Sequence, residues 1–190
     1  MNDMFQADIE KSLEILNRGG VILYPTDTVW GIGCDATNCS AVERIYAIKR
    51  RNEARSMLTL VDSVDMLAAY LKNVPEIAIR LDAEAVKPLS IIYPEARSLA
   101  ANLIADDGFV GIRIVRDAFC RQLIRMFGKP IVSTSANISG APTPSIFGEI
   151  SGEIRLAVDY TVQWRQDDEQ PATASSIIKL NADGSYHVLR

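Results

Sequence analysis

The sequence predicts an α/β fold, a twisted mixed β-sheet with flanking helices, carried by one domain over residues 1–190. Three observations predict it. The chain has 190 residues, 48% hydrophobic and 23% charged, enough for one ordinary core. Segments with helical periodicity alternate, unevenly, with short apolar runs of strand length. The last segment reads as a β-hairpin, which a regularly alternating parallel sheet does not contain.

The elements follow in order. Residues 8–18 place Ile9, Leu13 and Leu16 on one helical stripe, and Gly19-Gly20 supply the stop. VILY over 21–24, ended by Pro25, reads as a buried strand. The next helix starts at Ser40, whose hydroxyl caps it while Glu43 completes a capping box. It runs to about Arg50 with Val42 and Ile45 inward. Residues 57–61 read as a strand, 63–71 and 75–86 as helices, and 89–93 and 109–115 as strands. Asp117 caps a helix that turns Phe119, Leu123 and Met126 inward, closed by Gly128 and then Pro130. Ile131-Val132 is a short strand entering a polar turn over 133–139. After a helical stretch near 145–157, residues 160–162 and 175–180 read as strands. A turn over 181–184 makes 186–189 the return strand of the hairpin.

Composition excludes several functions. Lys and Arg number 20 against 24 Asp and Glu, a net charge of −4. The surface as a whole is therefore no nucleic-acid footprint, and an anion site has to be a local basic pocket. No apolar run approaches the ~20 residues a membrane-spanning helix needs, so no membrane partner is expected. The start, MNDMFQADIEK, carries acids and lacks a basic stretch followed by an apolar one. No signal peptide is expected, and the cytoplasm is the expected location. Cys34, Cys39 and Cys120 are too few for a disulfide framework. His187 is the only histidine, which excludes any mechanism needing two and argues against a Ser-His-Asp triad. No Asp, Glu and His cluster has ligand spacing, so no protein-bound metal site is expected.

Three stretches place chemistry-bearing groups at the ends of elements. In YPTDTVWG over 24–31, a buried strand stops at a proline and hands over to hydroxyls, an acid and glycine. This puts Thr26 and Thr28 at a strand end, where α/β proteins hold ligands. A turn whose Thr and Asp bond their own backbone is the plainer alternative. The second stretch is Lys49-Arg50-Arg51, with Arg55 following. Lys49 stands four after Ile45 and seven after Val42, so it continues the buried stripe, and Arg51 can reach the same side. Two inward cations need an anion, and a phosphate chain suits a lysine point charge plus an arginine fork, although cations also complement helix C-termini. The third stretch, STSAN over 133–137, gathers hydroxyls and an amide directly after a strand, or is simply an Asn/Ser turn. Arg113 sits inside the apolar strand VGIRIV, on the ligand side of the sheet or in an ion pair. No GxxxxGK[ST] occurs, which excludes a P-loop ATPase.

Taken together these stretches resemble the YrdC-like family, the L-threonylcarbamoyladenylate synthases, in its short single-domain form. That family's YPT[ED]T-x-[YFW]-G-[LIV]-G is met over 24–33, its K-x-R by Lys49 and Arg51, its V-x-[VI]-R over 110–113, and its S-x-S-A-N over 133–137. The motifs run in order from about Gly19 to Arg190. The resemblance implies a concave basic pocket and a synthase that joins L-threonine, bicarbonate and ATP, releases pyrophosphate, and supplies the threonylcarbamoyl group of a tRNA adenosine. It implies Lys49 and Arg51 as the catalytic, phosphate-binding pair, with Ser135, Asn137, Thr143 and Arg190 also on the ATP side. Thr28, Arg113, Ser133 and Ser175 resemble the threonine contacts, Arg113 pairing with the carboxylate. Mg²⁺ would come with ATP, held through phosphates. Because Arg190 is the last residue, a frayed side chain is expected.

The chain departs from the family pattern in places. Arg55 stands where many relatives have asparagine, Leu60 where they have histidine, AVKP over 85–88 replaces a tryptophan-proline-glycine-proline signature, and Phe109 replaces a threonine. These departures are expected near the substrate pockets. A second class of function also follows from the resemblance: a double-stranded RNA, tRNA or ribosome-binding module of the same fold without synthase activity, since RNA binding has been attributed to its basic concave surface. Neutral groups discriminate the two, because an RNA groove needs cations and stacking aromatics, not converging hydroxyls. Only Trp30 and Tyr46 lie near the basic run.

Overall fold

Phe5 and Phe119 meet edge to face, ring centroids 5.4 Å apart, and this contact seats the first helix on the fifth. The structure, a computed structural model, describes residues 3–51, 57–181 and 183–190. Its helices are α1 (Asp3–Asn17), α2 (Cys39–Lys49), α3 (Val64–Tyr70), α4 (Glu76–Glu84), α5 (Ala118–Phe127) and α6 (Gly152–Ala157). The strands are β1 (Ile22–Tyr24), β2 (Gly31–Gly33), β3 (Leu58–Val61), β4 (Leu89–Tyr93), β5 (Val110–Ile114), β6 (Ile131–Ser135), β7 (Tyr160–Thr161), β8 (Ser176–Leu180) and β9 (Tyr186–Val188).

Among the described residues these strands form one sheet in the order β7-β1-β2-β6-β3-β5-β4-β8-β9. Pairs β1/β7, β3/β5 and β4/β8 are parallel, whereas β1/β2, β2/β6, β3/β6, β4/β5 and β8/β9 are antiparallel. The mixed sheet and the terminal hairpin are as the sequence predicts. The core runs through Ile22, Leu23, Ile32, Val42, Ile45, Leu60, Phe119 and Ile131, all fully or almost fully buried.

Several local expectations are corrected. Helix α1 begins at Asp3 rather than 8, because Phe5 extends the buried stripe by a turn. It ends as predicted, Gly19 taking φ 74° while the Gly20 N–H returns to the Ile15 carbonyl. Helix α2 is capped by Asn38, which accepts from the Ala41 N–H, and not by Ser40. Strand β2 is absent from the sequence reading, because two of its three residues are glycines. It exists by pairing with β1 and β6. Strand β6 does not stop at Val132 but continues through Ser135. In α5, Asp117 caps and Gly128 ends the helix as expected, yet Met126 is exposed while Ile124 and Phe127 are buried. The stretch 145–157 splits into a 3-10 turn over Phe147–Glu149 and α6, capped by Ser151. No helix among the described residues is long and apolar enough to cross a membrane.

Candidate active site

Residues of β2, β3, β4, β5, β6 and β8 surround a cavity of about 280 Å³. Eight of the ten residues the sequence nominates line it. They are Thr28, Arg51, Arg113, Ser133, Ser135, Thr143, Ser175 and Arg190.

The turn between β1 and β2 bonds its own backbone and also borders the cavity. Thr26 Oγ1 accepts from the Thr28 N–H at 3.0 Å and donates to the Val29 carbonyl at 2.8 Å, so Thr26 builds the turn. Thr28 is left on the wall. Opposite, Gly31 of β2 pairs with Ser135 of β6. A Cβ at Gly31 would stand 2.9 Å from Ser133 Oγ, so the bare glycine makes room for that hydroxyl.

Helix α2 ends in a left-handed residue, Arg50 at φ 50°, whose side chain leaves the site to pair with Glu153. The reversal delivers Arg51 to the cavity. Lys49 is buried as its stripe position predicts. Its Nζ donates to the Ser135 carbonyl, and to the Asn137 carbonyl at 2.7 Å, while its own carbonyl accepts from the Ser139 N–H at 2.9 Å. Burial pushes the Lys49 ammonium down to about 8, and the nearby charge of Arg51 pushes the same way. Lys49 and Asn137 stand outside the wall. Asn137 Nδ2 donates to the Ala141 carbonyl at 2.7 Å and to that of Ile138, stapling the same turn.

On the other side, Arg113 is buried on β5, with Nη2 2.9 Å from Asp27 Oδ1. It makes an ion pair and at the same time faces the cavity. Ser175 Oγ shares a 2.8 Å hydrogen bond with Ser90 Oγ. Arg190 is not frayed: its Nε donates to the Ser175 carbonyl, and its main-chain oxygen accepts from the Ile177 N–H at 2.9 Å.

The described wall therefore carries three arginines, several hydroxyls and no acidic side chain. Such a wall suits an anion held by charge-assisted bonds. Met57, Leu58, Ile92 and Ile177 make its apolar part, and Trp30 is braced by Phe147 at 4.8 Å between ring centroids. The sequence reading missed these apolar residues, Thr134 and Asp27. Asp27 carries a signal in hindsight, the one acid in the YPTDT turn. Of the departures, Leu60 is buried opposite Arg113, and Phe109 lies under Lys179 Nζ at 3.8 Å. Neither lines the cavity, nor do residues 85–88, against the expectation that these changes flank the pockets. Arg55 lies outside the described residues.

Among the described residues the basic run does not form a continuous basic face. Lys49 is interior, Arg50 faces Glu153, and Arg51 lines the cavity. Trp30 is 5% exposed and Tyr46 3%, so neither offers a stacking face.

The Sua5/YciO/YrdC family model, described as telomere recombination, matches residues 14–190. The chain belongs to the Sua5/YciO/YrdC family. Curated relatives include the threonylcarbamoyl-AMP synthase of Pseudoalteromonas translucida, 32% identical over 163 residues that cover 83% of this chain and 86% of the relative. That of Xanthomonas euvesicatoria pv. vesicatoria is 34% identical over 158 residues, 82% of this chain and 84% of the relative. Among solved structures, E. coli YciO superimposes with a TM-score of 0.83 at 25% identity, covering 97% of this chain and 89% of that one. P. abyssi Sua5 complexed with L-threonine shares the fold at 24% identity and a TM-score of 0.84, covering 96% of this chain and 53% of that one. This family member thus spans about half the length of that Sua5 chain.

Proposed function

We propose that the protein is a threonylcarbamoyl-AMP synthase, converting L-threonine, bicarbonate and ATP to L-threonylcarbamoyl-AMP, pyrophosphate and water. The observation that carries this reading is the meeting of Thr28, Arg51, Arg113, Ser133, Ser135, Thr143, Ser175 and Arg190 on one acid-free wall. Curated relatives bearing that name support it. In the first step the threonine amine captures bicarbonate as a carbamate, with loss of water. A carbamate oxygen then attacks the α-phosphorus of ATP, and the bond to pyrophosphate breaks. Such a transfer asks for orientation and charge neutralisation rather than a side-chain nucleophile, so a single exposed histidine is no obstacle.

Arg51 and Arg190 meet the phosphates, Ser135 and Thr143 add neutral contacts on that side, and Lys49 and Asn137 shape the 135–141 turn while Lys49 adds positive charge behind it. Thr28, Ser133 and Ser175 surround the amino acid, with Arg113 on its carboxylate. Mg²⁺ comes with ATP on its phosphates and water, since the described wall offers it no acidic side chain. The 1–190 chain acts as one domain, in the cytoplasm, where free cysteines are kept reduced. Its product feeds the transferase that modifies tRNA.

The test is pyrophosphate release from ATP with threonine and bicarbonate omitted in turn. Release that needs both supports the synthase. Release that ignores threonine overturns it.

A further inference from the structure

Arg113 stands between Ile112 and Ile114 on β5 and is 3% exposed. A guanidinium there needs a counter-charge even before any ligand arrives. Asp27 supplies it, with Oδ1 2.9 Å from Arg113 Nη2 and both side chains nearly buried. Asp27 is itself held: its Oδ2 accepts from the Arg116 N–H, and the Thr26 hydroxyl locks the turn on either side of it. It is not part of the cavity wall, whereas Arg113 is. The acid therefore lies behind the arginine, and the cavity wall carries no acidic side chain.

The remaining donors of Arg113 are unspent. Its Nε is buried and makes no hydrogen bond. A guanidinium offers five N–H donors in a rigid fork, and a carboxylate takes two of them in parallel. Asp27 Oδ1 likewise makes no hydrogen bond, so the pair is held by charge at 2.9 Å, which anchors one end of that fork.

We propose that Asp27 is a positioning residue for amino-acid recognition: by holding Nη2 it orients Arg113 so that the rest of the guanidinium takes the α-carboxylate of the amino acid. This rests on the reading of Arg113 as the carboxylate contact. Asp27 also opposes carboxylate binding through its charge, so the two effects compete. Orientation wins on physical grounds. An arginine released from Asp27 turns toward the water of the cavity, where its pull on a carboxylate is that of a screened charge without directional bonds.

The test compares binding of L-threonine with L-threoninamide, which lacks the carboxylate charge, by calorimetry on the full chain. Wild type is expected to prefer threonine by about tenfold or more, the worth of charge-assisted bonds. Asp27→Ala is expected to bring that preference below about threefold, and Asp27→Glu, which keeps a charged oxygen, to restore most of it. The KM for ATP stays within about twofold in both, a readout a merely structural role would move. Asp27→Asn, with unchanged shape, serves if the alanine variant does not fold, and is expected to lose part of the preference. An undiminished or larger preference in Asp27→Ala and Asp27→Asn overturns the positioning role, as does an equal loss of ATP affinity. A wild type that binds both ligands alike removes the Arg113 assignment and the proposal with it. Loss of threonine-dependent pyrophosphate release in wild type is a separate result, which strikes the synthase reading alone.

Discussion

Lys49 Nζ donates to the Asn137 carbonyl at 2.7 Å, so a cation on α2 braces the turn after β6. A second bond to the Ser135 carbonyl completes the brace. Lys49→Ala removes a charge behind the cavity wall and leaves the Asn137 carbonyl in need of a partner, while the Ser135 carbonyl keeps the Asn137 N–H at 2.9 Å. Transition-state charge stabilisation of this kind is worth about 3 kcal/mol, or roughly a hundredfold in turnover. The orphaned carbonyl costs about 1–3 kcal/mol, which for a chain of this size lowers Tm by about 2–10 °C. Steady-state pyrophosphate release and a thermal melt measure the two effects. A variant with wild-type turnover removes Lys49 from the catalytic account.

The same lysine sets a pH dependence. Its pKa of about 8 lies below the ordinary 10.5, chiefly through burial and secondly through Arg51. Between these values the unfolded chain holds more protons than the folded one, so this group makes stability rise with pH from about 8 to about 10.5. Activity moves the other way, because the ammonium is lost: the charged fraction falls about tenfold between pH 7 and pH 9. The expected profile of kcat/KM for ATP declines above about pH 8 while Tm does not fall with it. Lys49→Arg keeps its charge throughout, so its alkaline limb is flatter. The threonine amine titrates in both proteins and cancels in the comparison. Parallel profiles for the two proteins assign the limb to another group.

Helical spacing made Lys49 legible as an inward cation, because position on a stripe follows from residue number alone. Its partners were not legible, being backbone carbonyls 86 and 88 residues away. Asp27 escaped notice for the same reason: its task depends on Arg113, brought to it by the fold. Strand β2 was illegible because Gly-Ile-Gly has little strand propensity of its own, and cross-strand pairing creates it. Met126 fell on the wrong side because two adjacent positions, 126 and 127, compete for the edge of the α5 stripe, and the aromatic side chain won burial. The hydroxyls of the wall were legible as a set, since strand ends in α/β folds are where such groups converge.

Gly33 tests the close approach of β1, β2 and β6. A Cβ there would stand 2.6 Å from the Val132 carbonyl and 2.6 Å from the ring of fully buried Tyr24. Backbone cannot swing aside as a side-chain tip can, so Gly33→Ala overpacks the sheet at a cost of about 1–3 kcal/mol. Tm is expected to drop by about 3–10 °C. Gly148, with nothing within 4 Å of its added Cβ, is the control, and Gly148→Ala should stay within about 2 °C of wild type. Equal melts for the two variants would mean that β2 is not packed this tightly.

Arg51 and Ser135 share the cavity wall but differ in charge, and that difference separates a synthase from an RNA groove. On the proposed reading Arg51→Ala removes a charge-assisted phosphate contact, worth about 1.5–3 kcal/mol, so kcat/KM for ATP should fall by roughly 10–100-fold. Ser135→Ala changes no charge and deletes one neutral hydroxyl, and a loss of about fivefold is expected from a bond of about 1 kcal/mol. An RNA groove answers differently. Its affinity would drop with Arg51→Ala, the salt slope would shrink by about one, and Ser135→Ala would pass unnoticed. Pyrophosphate release and tRNA filter binding across a salt series, run on the same three proteins, read both patterns. Among the described residues Trp30 and Tyr46 are buried and Arg50 is turned toward Glu153, so residues 49–51 offer an RNA groove neither stacking faces nor a row of free cations. The turnover of Ser135→Ala is therefore the deciding number: a synthase loses rate with it, and a protein that only grips phosphate backbones does not.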